Sequence, residues 1–233
     1  MARLLVLVEG ETEETFVNEV LRPHLYGSVE YGYEIVSARL IGNARQRDRR
    51  GGIRAWSSVR HDILSHLKED HGSVVTTMVD YYALPQIGGR AWPGRAEAGK
   101  LPCARKATTV ENALFADISQ NMDRNFDVRR FIPFVMMHEF EGLLFSDCDR
   151  FASGIGQPDL APKFQAIRDQ FTNPEEINDS PITSPSKRVQ QLVPGYQKPL
   201  LGTLAVIEIG LDKLRAECPH FQHWIERLET WQM

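Results

Sequence analysis

Short apolar runs alternating with segments of helical spacing constrain this chain more than any other feature. Residues 3–8 form a continuous run bounded by Gly10, the pattern of a strand buried on both faces. Phe16, Val17, Val20 and Leu21 then recur at helical intervals. Thr12 is the expected N-cap, Glu13 and Glu14 lie in the first turn, and Pro23 is the expected limit. Residues 33–41 read as a second strand. Residues 53–70 read as a helix on Ile53, Trp56, Val59, Ile63 and Leu67, and residues 73–79 as a β-branched strand ending at Asp80. Residues 83–106 carry Pro85, Gly88, Gly89, Pro93, Gly94, Gly99 and Pro102, which predicts a long loop of the functional or mobile kind. Residues 108–122 follow as a helix with Thr109 near its start, and residues 131–137 as a fourth strand broken early by Pro133.

The order β-α-β-α-β-α-β predicts an α/β fold, a Rossmann-like parallel four-stranded sheet with helices on its faces. After residue 139 the chain reads as helical and proline-punctuated, and Phe221, Trp224, Ile225 and Leu228 mark a last amphipathic helix. The expected division is residues 1–146 as the catalytic part and 147–233 as a helical C-terminal extension packed on it.

Several function classes fall away on composition. The early apolar run is far shorter than the roughly 20 residues that cross a bilayer, so no membrane association is expected. Arg3 alone precedes it and no small-residue cleavage site follows, so no signal peptide is expected. Cys103, Cys148 and Cys218 are odd in number and widely spaced, which excludes a disulfide framework and suits a reducing cytoplasm. The net charge of −4 does not announce a nucleic-acid binder, but its distribution is uneven. Residues 41–60 hold Arg45, Arg47, Arg49, Arg50, Arg54 and Arg60 against Asp48, a net +5. Residues 86–107 hold Arg90, Arg95, Lys100, Arg105 and Lys106 against Glu97, a net +4, which leaves −13 on the remainder. Two basic segments on an acidic body are either solvated loops or phosphate contacts. In the second reading Arg45, Arg47, Arg49, Arg50, Arg90, Arg95, Lys100 and Arg105 hold nucleic acid. Trp56 and Trp92 lie in or beside these segments and are read as core residues before stacking residues.

The first strand runs into Glu9-Gly10-Glu11-Thr12-Glu13, the third ends in Asp80, and the fourth runs into His138-Glu139-Phe140-Glu141. In a parallel sheet these carboxyl ends share one edge, so Glu9, Asp80, Glu139 and Glu141 can converge, with Glu13 one helical turn away. Taken singly, each acid is an ordinary cap or solvated residue. Together they repel one another unless a cation or a proton is shared. Hard oxygen donors without cysteine suit Mg2+ or Mn2+, and such ions activate water and stabilise a leaving oxygen in phosphodiester hydrolysis.

The stretches Val8-Glu9-Gly10-Glu11-Thr12-Glu13 and Val79-Asp80-Tyr81-Tyr82 resemble the Toprim (topoisomerase–primase) catalytic fold. The Glu9-to-Glu13 spacing is similar to its OLD (overcoming lysogenization defect) nuclease branch. Three further segments complete the pattern: His138 to Phe145, Ser184-Pro185-Ser186-Lys187-Arg188, and Cys218-Pro219-His220-Phe221 with Trp224. The whole set resembles a bacterial family of Toprim-like proteins described as a domain of unknown function, over nearly the whole chain. The resemblance implies a Toprim-like fold, a Mg2+- or Mn2+-dependent nuclease site, and action on nucleic acid, DNA in preference to RNA. It also implies an OLD/ABC-type ATPase partner in a phage-defence-like system. It assigns Glu9 as general acid/base or ligand, Glu13 as the second carboxylate of the first motif, and Asp80 as the first Asp of an Asp-x-Asp motif. The second Asp position is Tyr82, so Glu139 or Glu141 replaces that ligand, or one ion binds, or catalysis is lost. Lys187 is the candidate basic group for the transition-state phosphate, or else a surface lysine.

Other signatures are weaker. Gly94 to Lys100 begins like a P-loop, but Leu101 and Pro102 follow and no strand precedes it. His138-Glu139 begins like a zincin motif, but position 142 is Gly. His220 and His223 read as packing or surface residues. With no Gly-x-Ser-x-Gly elbow and no cysteine read as having a histidine partner, a nucleophile-based hydrolase is not expected. The alternatives to a nuclease are a degenerate module that binds nucleic acid or a partner ATPase without cutting, and a phosphatase or nucleotide-processing enzyme at the same sheet edge. The oligomeric state is left open.

Overall fold

A computed structural model describes residues 2–26, 31–41, 52–178 and 182–231. Its centre is a wholly parallel sheet in the order β2-β1-β3-β4: β1 (Ala2–Val8), β2 (Tyr33–Leu40), β3 (Ser73–Asp80) and β4 (Phe131–Ile132). A further short strand, β5 (Val135–Met136), pairs with the far end of β3, Asp80 lying opposite Met136. The expected fourth strand is thus two pieces separated at Pro133, which has no N–H to give to a ladder. Thr77 fills the gap: its hydroxyl donates to the Phe134 carbonyl at 2.9 Å and accepts from the Phe134 N–H at 3.0 Å.

The two sheet faces carry separate cores. Leu4, Val6, Val8, Val74 and Met78 face one side, while Leu5, Leu7, Val75 and Val79 face the other. This is why β1 and β3 read as continuous apolar runs rather than alternating ones. The second face is covered by α3 (Trp56–Glu69) and α5 (Cys103–Gln120). Trp56 and Trp92 are buried there with ring centroids 5.0 Å apart, each indole N–H bonded to protein. They belong to the core, as expected.

The first face is covered by α1 (Glu11–Phe16), a π-helical turn (Val17–Leu21), α2 (Arg22–Leu25) and the C-terminal helices. The last of these, α12 (Pro219–Glu229), lies directly on the sheet. Its Trp224 stacks on Phe134 at 4.4 Å and donates its indole N–H to Thr76 on β3 at 2.9 Å. Tyr33 of β2 donates to the Leu228 carbonyl of the same helix. Trp224→Phe is expected to cost about 2 kcal/mol in urea denaturation, from the lost hydrogen bond and the void left by the smaller ring. A change under about 0.5 kcal/mol would remove Trp224 as an anchor.

Four local expectations are corrected. Helix α1 is capped by Gly10, not Thr12; Glu14 N–H bonds the Gly10 carbonyl, and Thr12 is buried within the first turn. The helical run passes Pro23 and ends at Leu25, because the wider turn before it relieves the demand for a regular N–H at that ring. Helix α5 begins at Cys103 rather than Thr108, and Thr109 bonds back to the Arg105 carbonyl inside it instead of capping it. The expected loop over 83–106 is ordered around buried Trp92 and Arg95 and contains a short helix, α4 (Arg95–Ala98). Among the described residues no helix is long and apolar enough to cross a membrane.

Candidate functional site

Strand order creates the site. The chain moves from β1 to β2 on one side and returns to place β3 on the other side of β1. The crevice beyond the carboxyl ends of β1 and β3 is therefore a topological switch point, where open α/β sheets bind ligands. Glu9 follows β1 there and Asp80 ends β3, with the Asp80 N–H donating to Glu9 Oε2 at 3.3 Å. Glu13 folds back over the start of α1, and a Cβ on Gly10 would stand only 3.1 Å from Glu13 Oε2. Glycine at that position leaves room for the carboxylate. Glu141, in α6 (Glu141–Leu144), enters from beyond β5 and is 1% exposed.

The electrostatics of this cluster are strained. Burial, and then the charge of Glu13, raises the Glu9 carboxyl to about 7. Burial raises Glu13 to about 7 as well. Asp80 is held well above the usual carboxylate range by burial and by the charges of Glu9 and Glu13. Glu141 is raised by burial against the pull of Lys198. Asp80 Oδ1 is buried without a hydrogen-bond partner among the described residues, as is the Tyr196 hydroxyl, which feels the charge of Glu141. Buried polar atoms rarely go unpaired, so the crevice has unmet demand for a cation or donor.

One cation is already present. Lys198, from the turn Lys198–Gly202, donates to Glu141 Oε2 at 2.9 Å. Burial works against its charge, but Glu141 and Asp80 hold it firmly protonated. Lys187, the expected basic group, is exposed on α9 (Pro185–Leu192) and bonds Gln190 of its own helix at 3.3 Å. Its place is taken by Lys198, which sequence reasoning missed: a lysine before a proline, 118 positions from Asp80, carries no local signal. Glu139 lies at the rim, where Oε2 accepts the Ser186 N–H at 2.9 Å near the start of α9.

Five carboxylates and one lysine thus meet at one sheet edge. Their donor type, hard oxygen with unmet charge, fits Mg2+ or Mn2+. Their geometry is not preset, since among the described residues no three His, Cys, Asp or Glu side chains form a group able to hold a metal ion.

The proposed phosphate contacts divide. Arg90, Lys100 and Arg105 are exposed on the 86–107 segment, although Arg90 also bonds the Ile53 carbonyl. Arg95 is buried, donates to the Tyr81 carbonyl and hydroxyl, and lies 3.8 Å over the Tyr81 ring. Its guanidinium is committed to holding the segment after β3 and is not offered to a phosphate. Arg45, Arg47, Arg49 and Arg50 lie outside the described residues. Tyr82, at the second Asp position, has its ring 5.2 Å from that of His138. His138 has a left-handed backbone (φ 64°), and burial pushes its imidazole down to about 4. Its Nε2 is 3.5 Å from Cys103 Sγ, so a cysteine and a histidine do meet here, 35 positions apart in sequence. His220 is structural, bonded to Glu111 at 2.8 Å and stacked on Phe134. Glu175 accepts the His220 and Phe221 N–H groups at the start of α12.

No curated protein and no solved structure matches the chain significantly. A family model described as a domain of unknown function, DUF4276, matches residues 8–229, from the last residue of β1 to the last of α12. A match of that length takes in the sheet edge, its carboxylates and Lys198 alike, and the chain belongs to the DUF4276 family.

Proposed function

We propose that the carboxylate crevice is the active site of a divalent-cation-dependent nuclease of Toprim/OLD type that hydrolyses phosphodiester bonds in nucleic acid, DNA in preference to RNA. One observation carries the reading: a buried Asp80 oxygen, unpartnered among the described residues, at the switch point of the sheet, beside carboxylates raised by burial and by one another's charge. Glu9, Glu13 and Asp80 are the residues that would hold Mg2+ or Mn2+, with Glu141 and Glu139 beside them. The bound ion would supply Lewis acidity and a more acidic water.

The chain's own groups have separate tasks. Lys198 presents an ammonium where phosphate charge develops, a preorganised electrostatic role. Glu9 stands at about 7 without an ion, so it can give or take a proton near neutrality only where it does not itself hold the cation. Arg90, Lys100 and Arg105 offer exposed positive charge to a phosphate backbone. All three cysteines are free thiols, which suits the proposed cytoplasmic setting. A partner ATPase belongs to the same proposal and rests on the resemblance alone.

The test is cleavage of plasmid DNA and of RNA with Mn2+ or with chelator. Cutting is expected only with the cation, and Glu9→Gln and Asp80→Asn are expected to fall to the chelator level. The non-cutting module is favoured by one specific feature, Tyr82 turned onto His138 rather than supplying a second aspartate. It predicts nucleic-acid binding without cleavage in any cation. Turnover of nucleotides or phosphomonoesters in place of polymer would instead indicate the phosphatase-type reading.

A further inference from the structure

We infer that a cavity at the outer edge of β4, built around the Arg227 guanidinium, binds a small organic anion with a flat apolar body. The cavity has a volume of about 460 Å3, within the range of sites that enclose a small-molecule ligand. It opens between α5, the turn Val128–Arg130, β4 and the last turn of α12. Among the described residues no strand pairs with β4 on that side.

The walls are apolar and held in place. Phe131 and Ile132 are buried in the sheet, Phe115 of α5 is half-buried, and Val128 is exposed where the cavity meets solvent. Trp231 is fixed by its indole N–H on the Arg129 carbonyl at 3.0 Å and by Tyr33, stacked on it at 6.2 Å. The other polar groups of the lining are committed elsewhere. Arg129 is turned onto Asp127, with bonds of 2.7 to 3.1 Å, and the Thr230 hydroxyl donates to the Glu226 carbonyl at 2.7 Å.

Arg227 differs from them. It is half-buried and has no hydrogen bond or ion pair among the described residues. Burial lowers its guanidinium from the ordinary arginine range, against the pull of Glu111, and Glu111 is itself bonded to His220 and to the Val135 N–H. An arginine keeps its charge in such a setting, so a guanidinium stripped of part of its water without a protein partner calls for an anion. Its fork of donors suits a carboxylate or a phosphate monoester. The aromatic and aliphatic walls favour a planar hydrophobic body over an inorganic ion. Ile132 lies opposite Thr76, four residues before Asp80 on β3 and so about 13 Å from it along the strand. The site is therefore separate from the carboxylate crevice and does not rest on the nuclease reading.

The test is calorimetric titration of the full chain, in chelator, with 2-naphthoate, 2-naphthyl phosphate and the neutral 2-naphthylmethanol. One anion per chain is expected, with the neutral probe about 10–100-fold weaker, the worth of a charge-assisted hydrogen bond. The tighter of the two anions tells a carboxylate ligand from a phosphate one. Arg227→Met should weaken that anion by the same factor, whereas Arg129→Met should change it by less than about threefold, because Asp127 already takes its charge. Val128→Trp, at an exposed position, should block anion and neutral probe alike. Equal losses at the two arginines, a neutral probe as tight as the anions, anion binding that persists in Val128→Trp, or no measurable binding of either anion would overturn the assignment. Should Arg227→Met not fold, the comparison of charged and neutral probes on the wild type and on Val128→Trp decides.

Discussion

At pH 8 and without divalent cations, the Glu9→Gln/Glu13→Gln double variant is expected to be more stable than the wild-type chain by about 3–5 kcal/mol, and at pH 4 the two are expected to be nearly equal. Both carboxyls stand near 7 in the folded chain against an ordinary value of 4.5. Folding therefore holds their protons more tightly. Their contribution to stability is fully present below about 4.5 and is lost as the pH rises through about 7. Each shift corresponds to about 3 kcal/mol, but part of the Glu9 shift is repulsion from Glu13, so the two do not simply add. Glutamine has the shape of the protonated acid and does not ionise, so the double variant keeps the low-pH stability at all pH values.

The comparison must be made between variants, because His138 acts in the opposite direction. Its imidazole is depressed to about 4, so it adds stability as the pH rises from there to its ordinary value of 6.5. That contribution cancels in the difference between the two proteins. Urea denaturation in chelator at a series of pH values gives the result, and a difference independent of pH would show that the two carboxyls are not raised. Mg2+ or Mn2+ at about 100 times its dissociation constant should return about 2.7 kcal/mol to the wild type and little to the variant.

Lys198→Met is expected to destabilise the chain by about 2 kcal/mol at pH 8 and by much less at pH 4. Glu141 is 1% exposed and its carboxylate is held by the Lys198 ammonium. Removing one partner of a fully buried ion pair costs about 3–5 kcal/mol. The Lys198 side chain is 40% exposed, so water already shares its charge and the cost is smaller. At low pH Glu141 takes up a proton and no longer needs the lysine. Glu141→Gln in the Lys198→Met background should recover most of the loss, a double-mutant cycle that isolates the pair. If the site cuts phosphodiesters, Lys198→Met should also lower the rate about 10²–10³-fold, the usual effect of deleting one preorganised donor. Lys187→Met should change neither quantity. Equal effects at the two lysines would refute the placement of Lys198 at the centre of the charge cluster.

The contrast between these lysines shows what the amino-acid order reveals and what it hides. Glu9 and Asp80 were legible because each follows a continuous apolar run, and the carboxyl ends of parallel strands must share an edge. Glu13 and Glu141 followed from their nearness to those ends. Lys198 was not legible, because it arrives through the packing of helices whose spacing says only that they have a buried face. Arg95 misled in the opposite sense. A guanidinium in a basic, glycine-rich segment reads as a phosphate contact, yet it can equally stack on a tyrosine and saturate a carbonyl within the fold. The Cys103–His138 contact joins the start of one helix to the end of a short strand, a proximity that appears only once β5 is laid against β3.

The seating of α12 on the central strands also bears on how the chain is made. Leu4, Val6, Val8, Met78 and Phe134 share their core with Phe221, Trp224, Ile225 and Leu228 of α12, which leave the ribosome well after the strands. Until then part of that side of the sheet is an uncovered apolar surface, the kind that chaperones hold and that sticks to its own kind. Nascent chains stalled near residue 146 should therefore be captured by holdase chaperones, and release should come only when α12 closes over the strands.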